Sequence, residues 1–381
     1  MLHRLKVQNF KCLVNQTVEF GALTLLTGVN GAGKSSVLHA LLLLRQAEES
    51  LPSEPYVKLN GRYLLALGQA ADVLSHQASS EDVWVSMAVD SDDGDGAWTF
   101  RAKPTDRVLT FSRQHRKPLS ALTRRPFTYL HAERHGPRQA LSLNSLPIED
   151  HHVGNQGEFV AQVLALNEHK PVRPELLHSE PAASDLFRLQ VETWMQALVP
   201  GLQVRAKTEP DFGVSGLWWK RSGIQADWVR STNMGFGASY ALPIVVAGLL
   251  APKESLFLVE NPEAHLHPLG QSAMGRFLAR LAVAGVQVIC ETHSDHVLNG
   301  IRLATVAEQH ALSYRDVRIL YFSLDERGIS TSTPLTLNRH ADLSDWPTGF
   351  FDQSEQDLKA LWHARTRAAE TAQKLRKRHG R

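Results

Sequence analysis

Leu23-Thr24-Leu25-Leu26-Thr27-Gly28-Val29-Asn30-Gly31-Ala32-Gly33-Lys34-Ser35-Ser36 is the stretch on which the reading of this chain turns. An apolar run ends at a glycine, as a buried parallel strand would. The text after Lys34, SSVLHALLLLRQ, reads as a buried helix. Between them, Gly28 to Ser35 fit the spacing GxxxxGK[ST] in the strand–loop–helix context that the motif requires. Glycines at 28, 31 and 33 let backbone N–H groups, that of Asn30 among them, curl around phosphate oxygens without a Cβ in the way. The helix N-terminus adds positive potential. Lys34 would reach the β- and γ-phosphates, and Ser35, with Ser36 beside it, would turn a hydroxyl to Mg²⁺. ATP and Mg²⁺ are therefore the expected cofactors.

Two further segments belong with this loop. Leu256-Phe257-Leu258-Val259-Glu260 is an apolar strand ending in a carboxylate, followed by Asn261-Pro262-Glu263-Ala264-His265-Leu266-His267-Pro268. Such a strand places an acid beside the phosphate loop to hold Mg²⁺, the role expected of Glu260. Asn261 cannot act as a general base, because an amide has no useful proton affinity. Glu263 is the carboxylate left to polarise a water, so slow hydrolysis is expected. After a second apolar strand, VQVIC, comes Glu291-Thr292-His293-Ser294-Asp295-His296, where His293 would sense the γ-phosphate. His265 and His267 form an H-x-H pair with no third ligand nearby, which reads as structural rather than metal-binding.

The rest of the chain bounds the answer. The 381 residues carry a net charge of +2, so only local basic patches could meet nucleic acid. Cys12 and Cys290 have no CxxC partners, which fits a reducing compartment. The N-terminus has no apolar leader-like run, and no apolar stretch is long enough to span a membrane. A cytoplasmic protein with no membrane partner is expected. Residues 83–112 read as antiparallel strands turning at Ser91-Asp92-Asp93-Gly94-Asp95-Gly96, whose acids are misspaced for a calcium loop. Residues 157–199 carry helical patterns, and 202–230 return to strand-like text. Arg134 and Arg138, in an RxGPR turn, are candidates for an anion or partner contact. The tail from His363 to Arg381 is basic and helical in pattern, a solvated face or a phosphate contact.

Phosphate loop, acid-tipped strand with PExHLHP, and THS histidine occur here in an order that resembles the ABC-like ATPases related to RecF, SMC heads and OLD-type nucleases. Residues 2–36 and 233–300 carry the likeness. Ala132-Glu133-Arg134-x-Gly136-Pro137-Arg138 and Asp345-Trp346-Pro347-x-Gly349-Phe350-Phe351-Asp352 resemble a bacterial subfamily whose C-terminal part has no assigned function. The resemblance implies an α/β P-loop NTPase, an ABC-ATPase-like head with a mixed-sheet lobe (1–130 and 250–336), an inserted helical signature lobe (131–249) and a C-terminal segment (337–381).

It also implies that a second copy completes each ATP site. The signature turn would be Asn233-Met234-Gly235-Phe236-Gly237-Ala238-Ser239, with Gly235, Gly237 and Ser239 facing the partner's γ-phosphate, although it departs from LSGGQ. Gln46 and Gln69 are both candidates for the glutamine that contacts Mg²⁺, and Gln69 is preferred. Asn9-Phe10-Lys11 lies where related heads touch base and ribose, with Lys11 the contact. No sustained heptads separate Lys34 from Gly235, so a compact head is expected. No DxD follows His293, so a nuclease on this chain is not expected. The functional expectation is an ATP-dependent head-to-tail dimer that acts as a switch with a separate effector, a nuclease in bacterial anti-phage defence. A RecF-like repair ATPase binding DNA or RNA is the second reading, and a toxin or regulator locked by ATP is the third.

Overall fold

Alternating apolar residues make β1 (Leu2–Phe10) and β2 (Leu13–Glu19) an antiparallel hairpin with Leu5, Val7, Leu13 and Val18 buried. The computed structural model describes residues 1–50, 54–75, 83–114, 118–123, 127–147, 151–179, 184–221, 227–306, 311–347, 349–350 and 356–367. β3 (Leu23–Gly28) is buried on both faces and runs through the glycine-rich loop into α1 (Lys34–Glu49). β4 (Tyr56–Lys58), the single turn α2 (Ala70–Val73), β5 (Val83–Ser91), β6 (Gly94–Ala102), β7 (Val108–Arg113) and the turn α3 (Ser120–Thr123) follow. The acidic stretch after β5 is the hairpin turn of β5 and β6, and Asp93 accepts hydrogen bonds from Ser120 Oγ and Ala121 N. These strands make a six-stranded antiparallel sheet in the order β2-β1-β5-β6-β7-β4.

The next elements are β8 (Thr128–Leu130), β9 (Leu141–Ser142), α4 (Val160–Asn167), α5 (Phe187–Leu198), β10 (Leu202–Glu209), β11 (Val214–Arg221), β12 (Val229–Arg230) and α6 (Phe236–Leu250). The lobe expected to be helical thus also carries an antiparallel sheet, with β10 and β11 paired in register from Leu202↔Arg221 to Glu209↔Val214. Its inner face buries Leu202, Val204 and Trp219 toward α4 and α5.

β13 (Leu256–Glu260), α7 (Pro268–Val283), β14 (Gln287–Glu291), α8 (Asp295–Ala304), β15 (Val317–Leu324) and β16 (Ser330–Leu335) complete the unit Met1–Ser344. The second sheet has the order β16-β15-β3-β14-β13-β8, parallel except for β16. Helix α1 lies in the core between the two large sheets, where its Leu38, Leu41 and Leu42 join Leu5, Met87, Ile289 and Phe322. α7 and α8 approach backbone to backbone: a Cβ on Gly300 would sit 2.0 Å from Ser272 O, and one on Gly275 2.2 Å from Val297 O. No helix among the described residues is long and apolar enough to cross a membrane.

The second unit is Asp345–Arg381. In it the Trp346 and Phe350 rings meet edge-on at 5.2 Å, and residues 356–367 are helical. Phe351, Asp352 and the basic tail beyond Arg367 lie outside the described residues.

Candidate nucleotide site

The carboxyl ends of three adjacent parallel strands, β3, β14 and β13, deliver the glycine loop, Glu291 and Glu260 to one edge of the sheet. Ligands of parallel α/β sheets bind in the crevice outside such ends. The glycines are required by what surrounds them. Gly28 has φ +129°, and a Cβ there would lie 2.0 Å from Phe322 O on β15. Gly33 has φ +107°, and a Cβ would press on Leu13 and on Cys12 Sγ at 3.0 Å. Asn30 and Gly31 form the exposed crown. Ser36 is buried beneath it.

Lys34 is 3% exposed, and its Nζ donates to Gly28 O at 3.0 Å and Val29 O at 2.8 Å. Burial lowers its pKa, and the Glu291 charge opposes that shift. Ser35 Oγ donates to Glu291 Oε1 at 2.9 Å. Glu291 Oε2 is buried with no partner. Burial, and then the neighbouring Glu260, push the Glu291 carboxyl up to about 7, against the Ser35 hydrogen bond and Lys34. Glu260, its neighbour in register, accepts from Tyr129 Oη at 2.8 Å and from Ala132 N at 3.3 Å. Tyr129 sits on the edge strand β8, and burial followed by Glu260 raises its pKa, so it stays a donor. The acid that touches the loop serine is therefore Glu291, not Glu260. The signal was present in the sequence, since VQVICE ends in a carboxylate just as LFLVE does.

An orphaned buried carboxylate oxygen beside a serine hydroxyl, one strand from a second carboxylate, is a hard-oxygen donor set that fits Mg²⁺. The loop above it fits a triphosphate, because its glycines leave the N–H groups unobstructed and its lysine is already in place.

Glu263 turns both oxygens to the histidine turn: Oε2 accepts from Thr292 Oγ1 at 2.7 Å and Oε1 from His293 N at 2.7 Å. In this arrangement it braces that turn and is not a carboxylate free to polarise water. His293 is the exposed residue of the turn, and what burial its ring has, and then Lys34, lower its pKa. Asn261 adopts φ +44°, a left-handed conformation that asparagine tolerates, and its N donates to Glu291 O at 2.8 Å.

Lys11 comes to the site from below. Its Nζ lies 3.0 Å from His39 Nδ1, and burial lowers its pKa while Cys12 and Glu260 oppose the shift. Burial, then Lys11, then His131 depress His39 to about 3, so it is neutral. The unfolded chain takes up this proton near pH 6.5 and the folded chain does not, so folding stability must fall as pH drops below about 6.5. The contribution is up to about 1.4 kcal/mol per pH unit. Denaturant melts of the native protein and of His39→Gln between pH 7 and 5 should show a shallower acid loss in the variant. Parallel losses would place the titrating group elsewhere.

Several expected residues fall in other places. Gln46 spends its amide on Lys58, with Nε2 donating to its carbonyl and Oε1 accepting from its N. Gln69 is an exposed residue opening α2, where its N donates to Asp72 Oδ2 at 2.8 Å, and no described contact joins it to Ser35 or Glu260. In the signature turn, Gly235 precedes α6 with open space around it, and a Cβ on Gly237 would lie 2.6 Å from His265 O. Ser239 is buried, its Oγ unpartnered, lining a small pocket with His135 and Gly157 rather than facing outward. Arg134 is no anion contact. It is 2% exposed and donates to the carbonyls of His131, Glu260, Asn261 and Tyr240 at 2.7–3.1 Å. The exposed charge of that turn is Arg138. His265 packs between Phe236 and Tyr240, and His267 Nδ1 accepts from Leu269 N at the start of α7.

A phosphate loop, acid-tipped and histidine-tipped strands in one parallel sheet, and an antiparallel sheet across the loop helix define an ABC-like P-loop ATPase head. The chain belongs to the family described as "AAA domain, putative AbiEii toxin, Type IV TA system", whose model matches residues 23–299. A model described as "Protein of unknown function (DUF3696)" matches residues 312–361. The chain is 23% identical over 317 residues to an OLD nuclease of Thermus scotoductus, across 77% of this chain and 59% of that protein. It thus spans about three fifths of that relative's length. Its fold is similar to an Smc head domain with an extended coiled coil from Pyrococcus furiosus, solved bound to the C-terminal domain of ScpA (TM-score 0.55, 14% identity, 96% of this chain and 99% of that one). It is also similar to an Smc head with a coiled coil and joint from Pyrococcus yayanosii (TM-score 0.51, 12% identity, 89% and 98%). The expected likeness holds, to SMC heads in fold and to an OLD nuclease in sequence.

Proposed function

We infer that this protein binds Mg·ATP at the loop Gly28–Ser35 and uses it as a slow, dimeric switch for a separate effector. The observation that carries the reading is the hydrogen bond from Ser35 to Glu291 beside an unpartnered carboxylate oxygen, with Lys34 seated in the same loop. Ser35, Glu291 and Glu260 would hold the metal, which supplies charge neutralisation between the phosphates. Lys34 leaves its two carbonyls to meet the β- and γ-phosphates. Tyr129 holds Glu260 in place, and Glu263 holds the backbone of His293, whose ring would face the terminal phosphate. Asn261 stands where a base would be expected and Glu263 is committed to the turn, so the carboxylate left unpartnered at the site is Glu291, which in this reading is taken by the metal. That arrangement suits a long-lived ATP state, and it also supports the reading in which ATP mainly locks an assembly.

Family membership and the nuclease relative support an effector nuclease in anti-phage defence as the biological setting; a RecF-like repair role is the competing one. Calorimetric titration with ATP tests the site: tight binding with Mg²⁺ and much weaker binding with EDTA is the expected result, and a flat titration with Mg²⁺ would end the reading.

The head-to-tail dimer has its own test. Gly235 has no atom within 4 Å of an added Cβ and an extended backbone, so an arginine fits there in the monomer. Gly235→Arg should bind ATP as the native protein does yet remain monomeric in light scattering when the native chain dimerises. Dimers that survive the substitution would remove this turn from the interface. Buried Ser239 is unsuited to that experiment, since an arginine there would disturb the core.

A further inference from the structure

The antiparallel sheet of β10, β11 and β12 has an outer face that the nucleotide reading leaves unused. Along β10 and β11 the burial alternates, and the outward set includes Arg205, Lys207, Trp218 and Lys220, all exposed or half-exposed, with Gln203 and Glu209 on the same face of β10. Register aligns Arg205, Trp218 and Arg230 in one row across the three strands, and places Lys207 opposite Gly216. Gly216 has a purpose here. A Cβ on it would meet Trp218 Cη2 at 3.0 Å and Cζ3 at 3.1 Å, so its absence lets the indole lie along the strand. Trp228, just before β12, joins the same face, with the Arg205 guanidinium 4.5 Å from its ring centroid. Lys207 Nζ stands 5.9 Å from the Trp218 ring. Glu209, at the hairpin end, is the only carboxylate in these strands and β9.

Two tryptophans and four cations on a solvent face are an unusual composition for a sheet that only needs to be wetted. Aromatic faces between cations are what stacked bases and their phosphates require. A duplex keeps its bases stacked on each other and offers this face phosphates alone. We propose that the outer face of β10–β12 binds single-stranded polynucleotide, with bases on Trp218 and Trp228 and phosphates on Arg205, Lys207, Lys220 and Arg230. The site does not depend on the ATP reading and should work without nucleotide.

The test is fluorescence anisotropy of the full chain with labelled oligo-dT, oligo-rU and a duplex of equal length, at several salt concentrations and without ATP. The single strand should bind more tightly than the duplex at 0.15 M salt, a concentration at which screening still leaves contact pairs intact. Trp218→Ala and Trp228→Ala should each weaken binding by roughly 5- to 100-fold, while Trp218→Phe keeps most of the affinity. The slope of log affinity against log salt should fall by about 0.7 for each cation removed in Arg205→Ala and Lys207→Ala. A preference for dT or for rU would name the polymer, and either supports the site. Native affinity in both tryptophan-to-alanine variants, or an unchanged salt slope in the arginine and lysine variants, would move binding to another surface such as the basic tail and overturn the proposal. Tighter binding of the duplex would overturn it as well.

Discussion

Lys34→Ala is expected to cost at least about 100-fold in Mg·ATP affinity while leaving the fold intact. The ammonium is the one cation inside the loop, and it is held by two main-chain carbonyls of that loop. Removing it takes away a charge-assisted hydrogen bond to phosphate, and it leaves those carbonyl dipoles facing an anion without relief. The apo protein should be as stable as the native one or slightly more so, because burial already disfavours the charged lysine, as its lowered pKa records. Calorimetry and a thermal melt together check this: lost binding with an unchanged melt is the expected pair. Near-native affinity would mean that phosphate is held by other groups, and the loop reading would fall.

Arg134→Ala should be the most destabilising of the substitutions considered, by about 3–5 kcal/mol in denaturant unfolding. Its guanidinium ties together four carbonyls from three places: His131 beyond β8, Glu260 and Asn261 at the end of β13, and Tyr240 in α6. The guanidinium also lies over the Tyr240 ring, 5.3 Å from its centroid, a cation–π contact that adds to this. Burial lowers its pKa to about 10, which still leaves it charged at neutral pH. Alanine would strand these acceptors in the interior. Arg134→Lys should rescue little, because one ammonium cannot span acceptors that a planar fork reaches. A stable variant with impaired ligand binding would instead return Arg134 to the role of an exposed anion contact.

The parts of the site legible in the sequence are those whose meaning is local. Gly28–Ser35 can be read because strand, loop and helix are contiguous and each glycine answers a contact made on the spot. β13 and β14 can be read because strands buried on both faces leave unbroken apolar text. The parts that depend on distant partners could not be read. Tyr129 lies on a strand of only three residues, too short for periodicity, and its role exists only because β13 runs alongside. Arg134 looked like a surface charge because nothing nearby in sequence shows the carbonyls that surround it. Glu263 reads as the carboxylate left for water chemistry once Asn261 is excluded, and only the fold brings the Thr292–His293 turn onto it. The strands of residues 202–230 were visible as strands, yet the register that gathers their tryptophans and cations onto one face was not.

The contact between Gly275 and Gly300 bears on how this site could speak to the rest of the protein. α7 starts just after the loop that follows Glu260, and α8 starts two residues after His293. At that crossing Gly275 and Gly300 bring the two backbones together without a side chain of their own between them, so a shift of one helix there presses directly on the other. A displacement at the histidine turn would thus be felt along α8, which leaves Leu303, and Val306 just past its end, exposed.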